Sequence, residues 1–300
     1  MNINFSILIL TYNGAKTISK LLNKLSNLTD NYNKEIIIID SQSTDHTVKI
    51  ASRYKKRLNL RIITIKNKDF NHGTTRNMGV RLAKGKYIYF LSQDAIPINK
   101  NILKFFFADF QLNKKVVVAV FGKHIPYKNT PLIQKLEVLC RWERLDKCLN
   151  KNKLLIQNKQ SYDINLYEDN KLDLYILSNT SCCYRRDFLI KNPFPKTSYG
   201  EDLKMGKVII DKGFTKIYDP RCSVLHSHIF SISQYFKREK EDLTLRMLDM
   251  RLKNKINFFC KIKKIISMHE SFLTKFKYLC LLFFYYFLKF IILLKIWLKL

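Results

Sequence analysis

Acidic side chains are scarce in this 300-residue chain: 24 Asp and Glu stand against 54 Lys and Arg, a formal charge of +30. Lysines are spread throughout rather than gathered on one aromatic-studded face, so the excess does not by itself mark a nucleic-acid-binding surface. The Lys, Asn and Ile bias also points to the nucleotide composition of the source. Glycine (8) and proline (6) are few, which excludes collagen-like, elastomeric and loop-dominated architectures. Seven cysteines, with Cys182 and Cys183 adjacent and no C-x-x-C spacing, fit neither a disulfide scaffold nor a thiolate zinc site, and imply a reducing compartment. No positive stretch precedes the first apolar run, Phe5–Leu10, so an export signal is not expected. No internal repeat appears.

What is present is ordinary for a folded chain. At 35.7 kDa and 47 % hydrophobic residues, it can bury one large core or two modest ones. The first hundred residues alternate strand and helix patterns. Phe5–Leu10 reads as a strand, followed by a helix with Ile18, Leu21, Leu22 and Leu25 on one face. A second strand, Glu35–Ile39, ends at Asp40, and a helix over Asp45–Tyr54 is expected to start from Ser43 or Thr44 as cap. Leu60–Ile65 and Tyr87–Leu91 are further strands around a helix at Gly73–Leu82, and Val116–Phe121 follows. Ile-rich strands separated by helices predict a mainly parallel sheet covered on both faces. Ligands bind such sheets beyond the carboxyl ends of the strands, where Thr11, Asp40, Asp69–Arg76 and Asp94 all fall. Later segments read as a strand Ile176–Cys183, a helix opening at Tyr199-Gly-Glu-Asp202, a strand Ile217–Leu225 running into His226-Ser-His228, and an amphipathic Ser233–Arg251.

Four segments in order, SILILTYNG, IIIIDSQSTDHT, GTTRNMGVRLAKGKYIYFLSQDA and YGED, make the chain resemble family 2 glycosyltransferases from about Phe5 to about Arg238. FNHGTTRN and FLSQDA are most similar to the rhamnosyltransferase-like branch. The resemblance implies a GT-A fold: a Rossmann-like, mainly parallel α/β sheet flanked by helices. It also implies displacement of a nucleoside diphosphate from a sugar C1 by an acceptor hydroxyl. That chemistry needs a nucleotide cradle, a cation for the leaving diphosphate and a base for the hydroxyl proton.

On this resemblance Thr11, Tyr12 and Asn13 meet the nucleotide, and Asp40, with Ser43 beside it, accepts from the base or ribose. Taken singly, Asn13-Gly14 is also a common turn and Asp40 a helix-cap residue. Arg76 in the opening turn of a helix suits a diphosphate, with His72 beside it. Ser92-Gln-Asp94 stands where the family carries Asp-x-Asp, so one carboxylate is missing; Asp94 remains to meet Mg²⁺ or Mn²⁺. Asp202 matches the catalytic carboxylate and is the expected general base. Glu201 is expected to orient the acceptor or raise the pKa of Asp202 by like charge. Strand alternation sends His226 and His228 to opposite faces, and His226 is the expected metal contact. Arg238 is either a diphosphate clamp or a solvated surface residue. One base and no covalent nucleophile predict inversion at C1.

The expected organisation is a glycosyltransferase domain over 1–240, split into a nucleotide-sugar half (1–122) and an acceptor half (123–240), with a basic, amphipathic helical tail over 241–300. Residues 251–300 hold eleven Lys and Arg against one acidic residue, and the longest uncharged apolar run, Tyr278–Leu288, has eleven residues. That is short of the roughly 20 needed to span a bilayer, so an in-plane anchor on anionic lipid at the cytoplasmic face of the membrane is expected. Such an anchor fits a glycan or polyprenyl-linked acceptor. The competing class is a non-catalytic basic protein binding membrane or nucleic acid. For the enzyme, the expected partners are a nucleotide-sugar, the acceptor and the membrane, with no nucleic acid.

Overall fold

The computed structural model describes residues 3–163, 171–197, 199–250 and 258–298. Residues 251–257 and 299–300 of the expected tail lie outside the described residues. The first part of the chain contains β1 (Phe5–Thr11), α1 (Ile18–Ser26), β2 (Lys34–Asp40), α2 (Thr47–Ser52), β3 (Leu60–Thr64), α3 (His72–Leu82), β4 (Tyr87–Ser92), β5 (Ile96–Pro97), α4 (Ile102–Leu112) and β6 (Val117–Phe121). The chain continues through β7 (His124–Ile125), α5 (Leu132–Asp146), β8 (Leu155–Gln157), α6 (Gln160–Asp163), α7 (Lys171–Tyr175), β9 (Ser181–Arg185), α8 (Arg186–Lys191) and α9 (Glu201–Asp211). It ends with β10 (Thr215–Tyr218), β11 (Val224–Leu225), α10 (Ile232–Thr244), α11 (Phe258–Ile266) and α12 (Phe272–Trp297).

Eight strands form one sheet in the order β3-β2-β1-β4-β9-β6-β10-β8. β1 to β4 run parallel, β9 is antiparallel to both neighbours, and β10 returns parallel to β6. The unbroken apolar strands have two faces to bury, and two clusters cover them. One joins Phe5, Ile7 and Ile9 to α1 and α4; the other joins Leu8, Ile37 and Phe90 to α3, α8 and α9. The face Ile18, Leu21, Leu22 and Leu25 of α1 is fully buried, as its spacing predicts.

Three expected elements differ, each for a local reason. α2 covers only Thr47–Ser52, because the Ser43 hydroxyl is drawn to Asp40 and Thr44 to Asn13, so neither caps the helix. The strand expected at Ile217–Leu225 is interrupted at Pro220, which lacks a donor, and Asp219 accepts from the Arg221 amide in a 3-10 turn. The strand expected at Ile176–Cys183 begins only at Ser181, which leaves residues 176–180 as a loop.

A second, three-stranded sheet, β5-β11-β7, lies beside the first. It brings the turn before β5, the end of β7 and the chain leaving β11 to one place.

The tail is not a loose extension. α10 runs through residue 240, and α5, α10, α11 and α12 share an apolar cluster that includes Ile133, Leu136, Tyr235, Ile265, Leu282 and Tyr285. α12 is one continuous helix of 26 residues, about 39 Å at 1.5 Å per residue. Counting only uncharged runs understated it: Phe272–Ile296, in which an 18-residue stretch reaches mean hydropathy 2.2, is long and apolar enough to cross a membrane by length and composition.

Candidate active site

Register positions the first wall. β1 pairs with β2 so that Thr11 faces Asp40 across the ladder, and Leu10 pairs with Ser92 on β4. Thr11 Oγ1 donates to Asp40 Oδ1 at 2.7 Å, Ser43 Oγ donates to the same oxygen at 2.6 Å, and the Ser43 amide reaches Oδ2 at 2.8 Å. Asp40 is 1 % exposed. Asn13, in the left-handed region at φ 47°, accepts from the Thr44 amide at 2.9 Å and donates its own amide to Ser43 Oγ. Tyr12 exchanges two backbone hydrogen bonds with the Gln93 side chain, at 3.1 and 3.0 Å.

Two adjoining cavities open beyond these strand ends. The first, about 310 Å³, is lined by Thr11, Tyr12, His72, Arg76, Asp94 and His228 among others. The second, about 410 Å³, holds Glu201, Asp202, His226, Tyr199 and Arg238. His72, Arg76, Ser92, Asn179 and His228 line both, so the two form one cleft with two halves. Asp94 and Asp202 thus face adjoining halves. Asp40, Asn13 and Ser43 line neither cavity; they hydrogen-bond to one another's loops directly behind Thr11 and Tyr12.

One correction concerns the histidines. β11 ends at Leu225, so strand alternation does not govern the residues after it. Asp94 lies 3.5 Å from His226 Nε2 and 3.6 Å from His228 Nδ1, one imidazole to each carboxylate oxygen. One donor atom from each of the three residues lies within 4.8 Å of the others. Burial pushes the Asp94 carboxyl up, but the two imidazoles outweigh it and hold it below its ordinary value. Burial and the neighbouring His226 push His228 down to about 4. Tyr127 OH donates to the Asp94 carbonyl at 2.9 Å and fixes the turn. One carboxylate with two imidazoles is a donor set that fits a divalent cation, the second histidine adding a ligand where Ser92 offers no carboxylate.

At the joint between the halves, α9 begins with Gly200 at φ 70°, a conformation glycine adopts without penalty. Arg76 Nη1 pairs with Glu201 Oε1 at 2.9 Å and donates to the His72 carbonyl at 3.1 Å. Asn179 Nδ2 also donates to Glu201, at 3.1 Å, and is itself held by Tyr184 OH at 2.8 Å. Burial would raise Glu201, but Arg76 keeps its carboxyl low. Among the described residues Asp202 accepts only backbone amides, from Leu203 at 2.8 Å and Asn179 at 3.3 Å. Burial first, then the charge of Glu201, pushes it up to about 6. A carboxylate so tuned is ionised near neutrality yet basic enough to take a proton. Arg76 Nε is buried without a partner, a donor left over at the cleft.

Sequence reasoning did not find Asn179, Gln93 or Tyr127, which act through folded-state contacts that no spacing announces. It set His228 aside, although the H-x-H doublet itself was the signal.

Residues 6–189 match the profile of glycosyl transferase family 2. Over 240 residues the chain is 33 % identical to the O-antigen chain rhamnosyltransferase WbaN of Salmonella anatum, covering 78 % of this chain and 70 % of that protein. It is 31 % identical to RfbN of Salmonella typhimurium over the same length, covering 78 % and 69 %. Among solved structures, the mannosyltransferase PcManGT of Pyrobaculum calidifontis, in complex with GDP-Man and Mn²⁺, superposes with TM-score 0.62 at 14 % identity, covering 98 % of this chain and 86 % of that one. Residues 1–349 of S. aureus TarS superpose at 0.55 with 20 % identity, covering 92 % and 69 %. With its motifs standing in order along the ends of a GT-A sheet, the chain belongs to glycosyl transferase family 2.

Proposed function

We propose that the chain transfers rhamnose from a nucleoside-diphosphate sugar, with inversion at C1, to a hydroxyl of a glycan carried on a polyprenyl lipid. Similarity to WbaN and RfbN supports the sugar and the setting. The single observation that carries the chemistry is that Asp202 lines the larger half of a cleft whose other half holds Asp94, with Arg76 and His228 lining both. The nucleoside diphosphate belongs in the first half, against Thr11 and Tyr12. The acceptor belongs in the second.

Asp202 takes the proton of the acceptor hydroxyl as its oxygen attacks C1. The bond from C1 to the diphosphate oxygen breaks on the opposite face, and the leaving diphosphate carries the electron pair toward Arg76. Asp94, His226 and His228 would hold a divalent cation, which supplies neutralisation of the developing diphosphate charge. Two imidazoles favour Mn²⁺ over Mg²⁺, the harder ion.

α12 supports a seat on the membrane in the plane of the interface. Leu282, Tyr285 and Ile296 are buried against the catalytic domain, and Lys289 pairs with Glu239 of α10. Phe276, Phe283, Phe287 and Phe290 project on the opposite side and are more than half exposed, with Lys277 and Lys295 exposed beside them. A helix committed along one side to protein offers the other to lipid. The reading places the enzyme at the cytoplasmic face of the membrane. Incubation of the purified chain with dTDP-rhamnose and a glycosyl diphosphate lipid tests it: an extended glycan is expected, and its absence with each nucleotide-rhamnose tried would overturn it.

A further inference from the structure

The second half of the cleft is lined by two arginines that its own carboxylates do not pair. Glu137 is paired with Lys261 at 2.8 Å and accepts from Tyr235. Glu239 is paired with Lys289, and Asp242 with Arg246 at 2.6 Å. Glu201 is taken by Arg76. Arg141, on α5, and Arg238, on α10, line the same cavity and are open to it. Neither makes a hydrogen bond or an ion pair with any described residue, although Asp242, Glu137 and Glu239 lie within electrostatic reach of Arg141. The Arg238 guanidinium lies 4.3 Å from the centroid of the Tyr199 ring, which supports it from one face and leaves its edge donors unspent. A planar guanidinium in a cleft, with donors free, suits a phosphate ester.

Location narrows the choice of ligand. Arg141 lines the second half and not the first. The helices that carry both arginines are those on which α11 and α12 pack. An anion held here lies on the acceptor side of Asp202 and toward the apolar face.

We propose that Arg141 and Arg238 form a subsite for the phosphate ester that joins the acceptor glycan to its lipid carrier. This rests on the transferase reading above and adds to it the recognition of the acceptor by its phosphate as well as by its sugar. Arg238 is also within electrostatic reach of His72 and His228, so the diphosphate of the donor is the competing source of the same chemistry. Arg141 separates the two.

The test is steady-state kinetics of the full chain with two acceptors: a glycosyl diphosphate bearing a short alkyl tail, and the same glycan as an alkyl glycoside without phosphate. The wild-type chain is expected to prefer the diphosphate acceptor at least about tenfold in kcat/KM. Arg141→Gln should raise KM for that acceptor about 10- to 100-fold, the loss of a charge-assisted hydrogen bond. Its KM for the donor and for the alkyl glycoside should stay within about threefold, and Arg141→Lys should recover part of the loss. No wild-type preference, an equal loss with both acceptors, or a rise in donor KM would overturn the subsite while leaving the transferase reading intact. Transfer to neither acceptor overturns that reading, and the subsite falls with it. The wild-type comparison stands even if an arginine variant fails to fold.

Discussion

Arg76 and Glu201 lie 2.9 Å apart at the joint of the cleft, and the pair sets the environment of the residue next to it. Glu201 contributes a negative charge that raises Asp202, while Arg76 keeps Glu201 itself ionised. Deleting the carboxylate charge therefore acts on Asp202 twice in one direction: the like charge disappears, and Arg76 is released to favour the ionised base. With Asp202 pushed up to about 6, kcat/KM should rise with pH through that region and level off above it. Glu201→Gln is expected to move this acid limb to lower pH, measurable in a pH–rate profile.

Metal dependence follows from the donor set around Asp94. Chelation with EDTA should abolish transfer, and Mn²⁺ should restore it better than Mg²⁺. His228→Gln should weaken activation by Mn²⁺ about 10- to 100-fold, as His226→Gln does, because the imidazoles share one carboxylate. An unchanged Mn²⁺ titration for His228→Gln would return the site to a single histidine.

Much of this arrangement was legible before any fold was known, because strand-end chemistry is local. β1 and β2 are apolar runs ending in Thr11 and Asp40, and parallel pairing of equal-length strands must set those ends side by side. Legibility ends where a side chain is used by a neighbour distant in sequence. Asp40 and Asn13 have residue types that suit a ligand, and only the fold shows that Thr11, Ser43 and Thr44 also hydrogen-bond to them. His228 was misplaced because alternation was carried past Leu225, where the strand stops. The full length of the tail helix was not legible, because lysines interrupt its apolar runs without interrupting the helix; Lys289 is spent on Glu239.

Membrane association tests that last point. Replacing Phe276, Phe287 and Phe290 by Lys removes exposed aromatic surface and leaves the buried side of α12 intact. The triple variant should keep its thermal midpoint and its nucleoside diphosphate binding. It should lose flotation with vesicles containing anionic lipid. Retained flotation would contradict the in-plane seat.

Gly200 offers a structural check on the joint. At φ 70° an added Cβ is strained, and it would also lie 2.0 Å from Leu245 Cδ2. Gly200→Ala is expected to cost about 1–3 kcal/mol of stability by denaturant unfolding. It should lower kcat as well, because the helix it starts carries Asp202 in its first turn.

The most direct measurement concerns Asp202 itself. Asp202→Asn keeps shape and hydrogen-bonding capacity but cannot take a proton, so sugar transfer should fall about 10²- to 10⁴-fold. Nucleoside diphosphate binding should be retained. The variant should be at least as stable as the wild type at pH 7–8, because a carboxyl raised by burial and Glu201 destabilises the fold once ionised; the difference should vanish below pH 4. Near-normal transfer by a folded Asp202→Asn would contradict the assignment of the base, and with it the mechanism.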